Sequence, residues 1–325
     1  MRFVVVGAGA IGGVVGGRLH QAGHDVALVA RGAHAEAMVR RGLVLESPSG
    51  TVTLPVAVAR HPAEVDWGPA SVVLLSVKGQ DTEVAIGALA ANAPPDTPVV
   101  CMQNGVENER RVLRRFAGTY AMCVMCPASH LEPGVVQAHS EPVSGLLDVG
   151  RYPAGVDGVA VEVADALGTA TFDSRAVEDV MRWKYTKLVK NLANIVEPLC
   201  GPDRGGSRLV ELARLEGRRV LEEAGIAYAT DEEDAARRGH LMTIAATASG
   251  PHRGGSTWQS VARGSGSVEV DFLNGEIVLL GRLVGVPTPV NTRLTELGHE
   301  LVERPELAGT VSAHDVEALV RAATR

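Results

Sequence analysis

Aromatic residues make up only 3% of this chain of 325, too few to build the stacking platforms that bind single-stranded nucleic acid. Basic charge is also short: 31 Lys and Arg stand against 38 Asp and Glu, a net charge of −7. No basic cluster or tail appears, so neither nucleic acid nor an anionic membrane surface is an expected partner. No apolar run is long enough to cross a bilayer, and the N-terminus lacks a basic segment followed by an unbroken apolar core. Neither a membrane span nor a signal peptide is therefore expected. Cysteine is limited to Cys101, Cys123, Cys126 and Cys200. The CxxC spacing of Cys123 and Cys126 falls in the strand-like run 121–126, where residues three apart face opposite ways, and no second pair exists to complete a zinc site. Buried thiols in a reducing cytoplasm follow, with no metal.

What the chain does contain is 46% hydrophobic and 21% charged residues, the balance of an ordinary globular protein long enough for two domains. At its start, the apolar run Phe3-Val4-Val5-Val6 leads into Gly7-Ala8-Gly9-Ala10-Ile11-Gly12 and a small-residue helix. Strand, glycine loop and helix in that order are the setting of a dinucleotide site. Gly7 permits the tight turn, Gly9 lets backbone amides approach a pyrophosphate, and Gly12 lets the helix lie close to the strand. The second strand reads as 24–30, and its end carries Ala30 and Arg31 where a site selective for NAD places a carboxylate. A guanidinium there suits a 2′-phosphate, so NADP(H) is the expected cofactor; the alternative is a solvated surface arginine.

The first half alternates strands and helices in the rhythm of a doubly wound parallel sheet. A helix is expected at 33–41, a hairpin at 43–59, a strand at 71–77, a helix at 82–91, and strands at 98–102 and 119–127. Repeated glycines over 130–173 suggest a meander of short strands. Helical periods then appear at 176–200, 208–224 and 268–284, with a polar glycine-rich loop at 249–256. The expected class is α/β: an N-terminal Rossmann domain, residues 1–174, and an all-helical C-terminal domain, residues 175–325. Substrate would meet nicotinamide in a cleft between them.

Helical spacing in Trp183-Lys184-Tyr185-Thr186-Lys187-Leu188-Val189-Lys190-Asn191-Leu192-Ala193-Asn194 sets Lys187, Asn191 and Asn194 on one face beside an apolar stripe. Partial shielding would help an ammonium release its proton near neutrality. Lys184 and Lys190 read as ordinary solvent-facing lysines; for Lys187, spacing alone leaves that reading open too.

GAGAIGG at the N-terminus, SVKGQDT with Lys78, MQNGVEN with Asn104, WKYTKLVKN and GSVEVDFLNGE with Glu269 occur in this order along nearly the whole chain. In that order they resemble the ketopantoate reductases, the 2-dehydropantoate 2-reductases. The resemblance implies NADPH-dependent reduction of 2-dehydropantoate to (R)-pantoate, or of another 2-oxo acid or ketone by a reductase of the same fold. By resemblance, Lys187 is the general acid, and Glu269 binds the substrate hydroxyl and helps to position the lysine. Asn104 touches the nicotinamide-ribose region, and Lys78 lies on the cofactor side. Asn191 binds substrate, with Asn194 one residue from a further asparagine position that Ile195 occupies. Ser256 and Thr257 supply hydroxyls for the substrate carboxylate. Glu197-Pro198-Leu199 stands where Asn-Pro-Leu is common. Read without the resemblance, Glu269 is equally an early-helix carboxylate, Asn104 part of a turn and Ser256 a helix cap. The expected partner is a small-molecule 2-oxo acid, and a homodimer is compatible with this reading. A cofactor-binding sensor without catalysis is the alternative from another class.

Overall fold

Phe3, Val4 and Val5 have no exposed surface, as befits a strand covered on both faces of a parallel sheet. The computed structural model describes residues 1–201, 207–252, 254–262 and 267–323; the side chains of Ser207, Ser256, Ala262 and residues 319–323 also lie outside the described set. Strand β1 (Arg2–Val6) is followed by α1 (Ala10–Gln21), β2 (Asp25–Val29), α2 (Gly32–Arg41), and the antiparallel pair β3 (Leu43–Ser47) and β4 (Gly50–Leu54). Next come β5 (Ala57–Ala59), β6 (Ser71–Leu75), α3 (Thr82–Asn92), β7 (Val99–Cys101), α4 (Asn108–Leu113) and β8 (Thr119–Met125). Three short strands, β9 (Ala128–Ser129), β10 (Val135–Ala138) and β11 (Ser140–Pro142), precede β12 (Gly145–Arg151), α5 (Gly158–Thr169) and β13 (Phe172–Asp173).

The main sheet has the order β13-β12-β8-β7-β6-β1-β2-β5, with every pairing parallel except β8 with β12. The chain reverses direction across the sheet between β1 and β6, and ligands bind at the carboxyl ends of the strands at such a switch point. A second sheet, β4-β3-β10-β9, sits against α1. Gly16 and Gly17 explain how one helix serves both sheets. A Cβ on Gly16 would lie 2.5 Å from a Leu28 methyl of the main sheet, and one on Gly17 would lie 2.8 Å from a Leu45 methyl of the second.

The remaining elements are α6 (Val180–Asn191), α7 (Val196–Cys200), α8 (Ser207–Glu223), α9 (Asp231–Arg238), β14 (Met242–Ile244), α10 (Ser256–Ala262), α11 (Asn274–Val284), α12 (Pro289–Glu303) and α13 (Ala313–Ala323). Two compact units result: Met1–Lys184 with Asp231–His252, and Tyr185–Thr230 with Arg253–Arg325. Among its described residues the second unit holds helices and no strand. Within it Glu216 accepts the backbone N–H of Val290 and of Asn291, both at 2.9 Å, at the start of α12, where the helix dipole favours negative charge.

Four features differ from the sequence expectations. The division is not a single cut after residue 174, because 231–252 returns to the first unit. There β14 pairs with β11, Glu46 accepts bonds from Thr247 and Ser249, and buried Arg237 donates twice to Asp148 at 2.7 Å. The expected meander contains α5: Val159-Ala160-Val161-Glu162-Val163 alternates like a strand, but the Asp157 side chain caps Ala160 N–H at 3.0 Å and starts a helix. The hairpin at 43–59 ends at Leu54, and β5 joins the main sheet beside β2. The helical period at 176–200 breaks at 192–195, where Pro198 can neither donate to Asn194 nor accommodate its carbonyl.

Candidate functional site

Val6 delivers the chain into the turn at Gly7, whose φ of +101° and whose neighbours, Val77 N at 2.7 Å from a would-be Cβ, leave room for glycine alone. A Cβ on Gly12 would fall 2.2 Å from the Gly7 carbonyl oxygen, so the loop and the first turn of α1 touch backbone to backbone. Gly9 differs: nothing lies within 4 Å of its Cβ position. It caps α1, whose first amides have no partner within the helix and favour an anion. A cavity of about 330 Å³ opens here, walled by Gly7, Ala8 and Gly9 and by Ala30 and Arg31 at the end of β2. Ala10 and Ile11 begin α1 behind this wall, half-buried. The open Gly9, the free helix end and a wall that includes Arg31 at the end of β2 fit a dinucleotide.

The far wall holds residues the sequence reading did not single out. Arg60 and His61, directly after β5, line the cavity with Asp81. Their signal was a strand ending beside β2, hidden because 43–59 read as one hairpin. Asp81 corrects the electrostatics at this end. No carboxylate follows β2, yet Asp81 reaches Arg31 from another segment at 3.5 Å, with the two side chains 44% and 69% exposed. A pair this exposed contributes little stability, and a phosphate can compete for the guanidinium.

His34, on the first turn of α2, also lines the cavity, as does His130. Gly134 N–H donates to His34 Nδ1 at 2.8 Å, and His34 Nε2 lies 2.7 Å from the Ala8 carbonyl. A carbonyl only accepts, so Nε2 carries the proton and the ring is neutral. Burial, then the neighbouring His130 ring, lower its pKa to about 4, against the opposing effect of the Ala8 bond.

Lys78 and Asn104 follow β6 and β7, at the same carboxyl edge as the glycine loop. Lys78 precedes a 3-10 turn and is half-buried. The loop bearing Asn104 is tied down from both sides: Asn108 donates to the Asn104 carbonyl at 3.2 Å, and Gln103 donates to Val77 O at 2.9 Å and to Thr82 at 2.7 Å. Lys184 completes this frame, which overturns its reading as a solvent-facing lysine. Its side chain is 3% exposed and that of its partner Glu109 0%. The ammonium donates to the Glu109 carboxylate and, at 2.9 Å, to the Gln103 carbonyl. Burial of so polar a pair was invisible in helical spacing because its partner lies on another element.

The substrate-side candidates belong to the second unit. Lys187 and Asn191 are one turn apart on α6, on one face and half-buried. Asn191 Nδ2 is buried and has no hydrogen-bond acceptor among the described residues, an amide donor suited to a ligand oxygen. Asn194 does not continue that face: α6 ends at Asn191, and Asn194 sits in the following turns with its N–H on the Asn191 carbonyl at 2.9 Å. Thr257 is buried at the start of α10, whereas the Ser256 side chain lies outside the described residues. Glu269, half-buried, precedes the 3-10 turn before α11. Glu197, on α7, accepts Gly255 N–H at 3.1 Å, which places a carboxylate beside the segment that carries Ser256 and Thr257.

Residues 3–153 match the family described as "Ketopantoate reductase PanE/ApbA", and residues 179–302 match "Ketopantoate reductase PanE/ApbA C terminal". The chain belongs to the ketopantoate reductase family. A 2-dehydropantoate 2-reductase of Archaeoglobus fulgidus is 32% identical over 306 residues, covering 91% of this chain and 96% of that protein. One from Pyrococcus horikoshii is 28% identical over 305 residues, with the same coverage of 91% and 96%. Among solved structures, a PanE/ApbA family ketopantoate reductase from Ralstonia eutropha JMP134 superposes with a TM-score of 0.78 at 27% identity, covering 94% of this chain and all of that one. A D-mandelate dehydrogenase with NADH and anilino(oxo)acetate shares the fold at a TM-score of 0.78 and 23% identity, over 93% and 99% of the two chains. Family membership makes the chain an oxidoreductase acting between a carbonyl and an alcohol.

Proposed function

We propose that this ketopantoate reductase family member reduces 2-dehydropantoate to pantoate with NADPH, Lys187 giving the proton. The observation that carries the reading is the glycine-loop cavity, whose walls run from the open helix end at Gly9 to Arg31 and Arg60. Relatives similar over nearly their whole length are named for this reaction. The nicotinamide, when bound, supplies the hydride. Everything else falls to side chains. Gly7 to Gly12 hold the pyrophosphate end, Arg31 meets the 2′-phosphate, and Lys78 and Asn104 bound the nicotinamide-ribose side. The Lys187 ammonium stabilises negative charge on the C2 oxygen as it develops and delivers the proton. Glu269 holds the substrate hydroxyl, Asn191 donates to a substrate oxygen, and the Ser256 and Thr257 hydroxyls bind the carboxylate. The test is NADPH consumption on adding 2-dehydropantoate, with pantoate identified as product. Steady turnover is expected, and no turnover with either cofactor on any of a panel of 2-oxo acids would refute the reading.

Glu197 favours a second reading, reduction of a different 2-oxo acid or a ketone. Its carboxylate on Gly255 N–H adds negative charge next to the segment proposed to hold the substrate carboxylate, and like charges at close range repel. A ketone lacking the carboxylate and turned over faster than 2-dehydropantoate would establish this alternative. For a substrate that carries the carboxylate, Thr257→Val removes a hydroxyl at nearly constant volume. The expected result is a Michaelis constant raised about tenfold with turnover changed less than about threefold; an unchanged Michaelis constant places the anion elsewhere.

Cofactor choice is tested at Arg31 and Asp81. Arg31→Ala is expected to raise the NADPH dissociation constant about tenfold or more and that of NADH less than about twofold. Asp81→Asn removes the competing carboxylate and is expected to tighten NADPH. Fluorescence titration reads both, and equal losses for the two cofactors in Arg31→Ala would contradict the assignment of the 2′-phosphate.

A further inference from the structure

His34 occupies a position that neither the glycine motif nor the 2′-phosphate end accounts for. It stands on the first turn of α2 and reaches back to the middle residue of Gly7-Ala8-Gly9, accepting from Gly134 N–H on its other ring nitrogen. One imidazole thus ties together α2, the glycine loop and the turn that leads into β10. His130 holds the ring from the side, with centroids 4.0 Å apart, and is itself fixed by donating Nδ1–H to the Val135 carbonyl at 3.0 Å.

The bond to Ala8 controls more than the carbonyl it reaches. In a trans peptide the C=O and the following N–H point in opposite directions, so anchoring Ala8 O also fixes where the Gly9 N–H points. Gly9 has no side chain to restrict its backbone and nothing packed within 4 Å of its Cβ position, so no side-chain contact at Gly9 helps to hold this peptide plane. Its N–H belongs to the helix end that α1 leaves without internal partners.

We propose that His34 is a positioning residue for the cofactor, orienting the Ala8–Gly9 peptide toward the pyrophosphate through its bond to the Ala8 carbonyl. The inference rests on the reading that this cavity takes a nicotinamide dinucleotide. It separates the two arms of the ring: the Nε2 arm serves binding, and the Nδ1 arm serves only the fold.

Two substitutions divide those arms. In His34→Gln the terminal amide replaces Nε2 and keeps a donor for Ala8, losing the acceptor for Gly134. In His34→Asn the side-chain oxygen replaces Nδ1 and keeps that acceptor, losing the donor. Each loses one neutral hydrogen bond, so similar falls in melting temperature are expected. The NADPH dissociation constant, measured by fluorescence titration, is expected to stay within about threefold of wild type in His34→Gln and to rise about tenfold in His34→Asn. Turnover at saturating NADPH should be alike in all three, since the residue acts on binding and not on the reacting atoms. Equal dissociation constants in the two variants, or a larger rise in His34→Gln, would overturn the proposal and leave a structural role. A wild-type protein that binds neither NADPH nor NADH would overturn the cofactor reading itself and this inference with it.

Discussion

Lys187→Ala is expected to lower turnover by about a hundredfold or more while changing the NADPH dissociation constant by less than about twofold. The loss corresponds to about 2.7 kcal/mol of transition-state stabilisation. Two effects combine in it. In the proposed mechanism, charge builds on the carbonyl oxygen as hydride reaches C2, and the ammonium would both neutralise that charge and deliver the proton. Lys187 stands one turn before Asn191, whose buried amide donor has no acceptor among the described residues, so the proposed proton donor and oxygen ligand share one helix face. Glu269→Ala is expected to raise the Michaelis constant first, with a smaller loss of turnover from a less well positioned lysine. Lys190→Ala is the control and should retain activity. Wild-type turnover in Lys187→Ala would rule out the mechanism.

Lys184 is unsuited to serve as a second control, and its replacement carries the other large effect. Lys184→Met leaves the Glu109 carboxylate buried without its cation, and Glu109→Leu does the converse. Each is expected to destabilise the first unit by about 3–5 kcal/mol, because an uncompensated buried charge costs far more than the intact pair contributes. The double variant, with neither charge, should be more stable than either single one. Chemical denaturation followed through Trp67 and Trp183, both in the first unit, measures all three. Single variants within about 1 kcal/mol of wild type would show that the pair is not buried as described. Because Lys184 also holds the Gln103 carbonyl next to Asn104, Lys184→Met should weaken cofactor binding as well.

The parts of the fold that were legible in the sequence are those governed by local pattern. Phe3 to Gly12 announced strand, turn and helix because Gly7 and Gly12 each meet a backbone constraint that few other residues satisfy; the helical period of 208–224 corresponds to α8, and that of 268–284 to α11 only from Asn274 on, after a 3-10 turn at Val270–Phe272. The failures have physical causes. Apolar alternation in α5 imitates a strand, and only the Asp157 cap distinguishes the two. Pro198 interrupts a helical period that otherwise runs on, and this removes Asn194 from the face of Lys187 and Asn191. Lys184 and Lys187 differ in environment through Glu109, a residue on a distant element, so spacing could not rank them. The cofactor end was half visible: Arg31 adjoins a strand end in sequence and His34 follows on the first turn of α2, but Arg60, Asp81 and His130 converge on it only through strand order and the second sheet.

The most direct test of the central claim is isotopic. The protein is incubated with NADPH carrying deuterium on the transferred position of C4 and with 2-dehydropantoate, and the product is analysed by mass spectrometry. Pantoate with one deuterium at C2 is the expected result, formed at a rate at least about a hundredfold lower in Lys187→Ala. Unlabelled pantoate, or no reduced product from any 2-oxo acid or ketone in the presence of bound NADPH, would contradict the account.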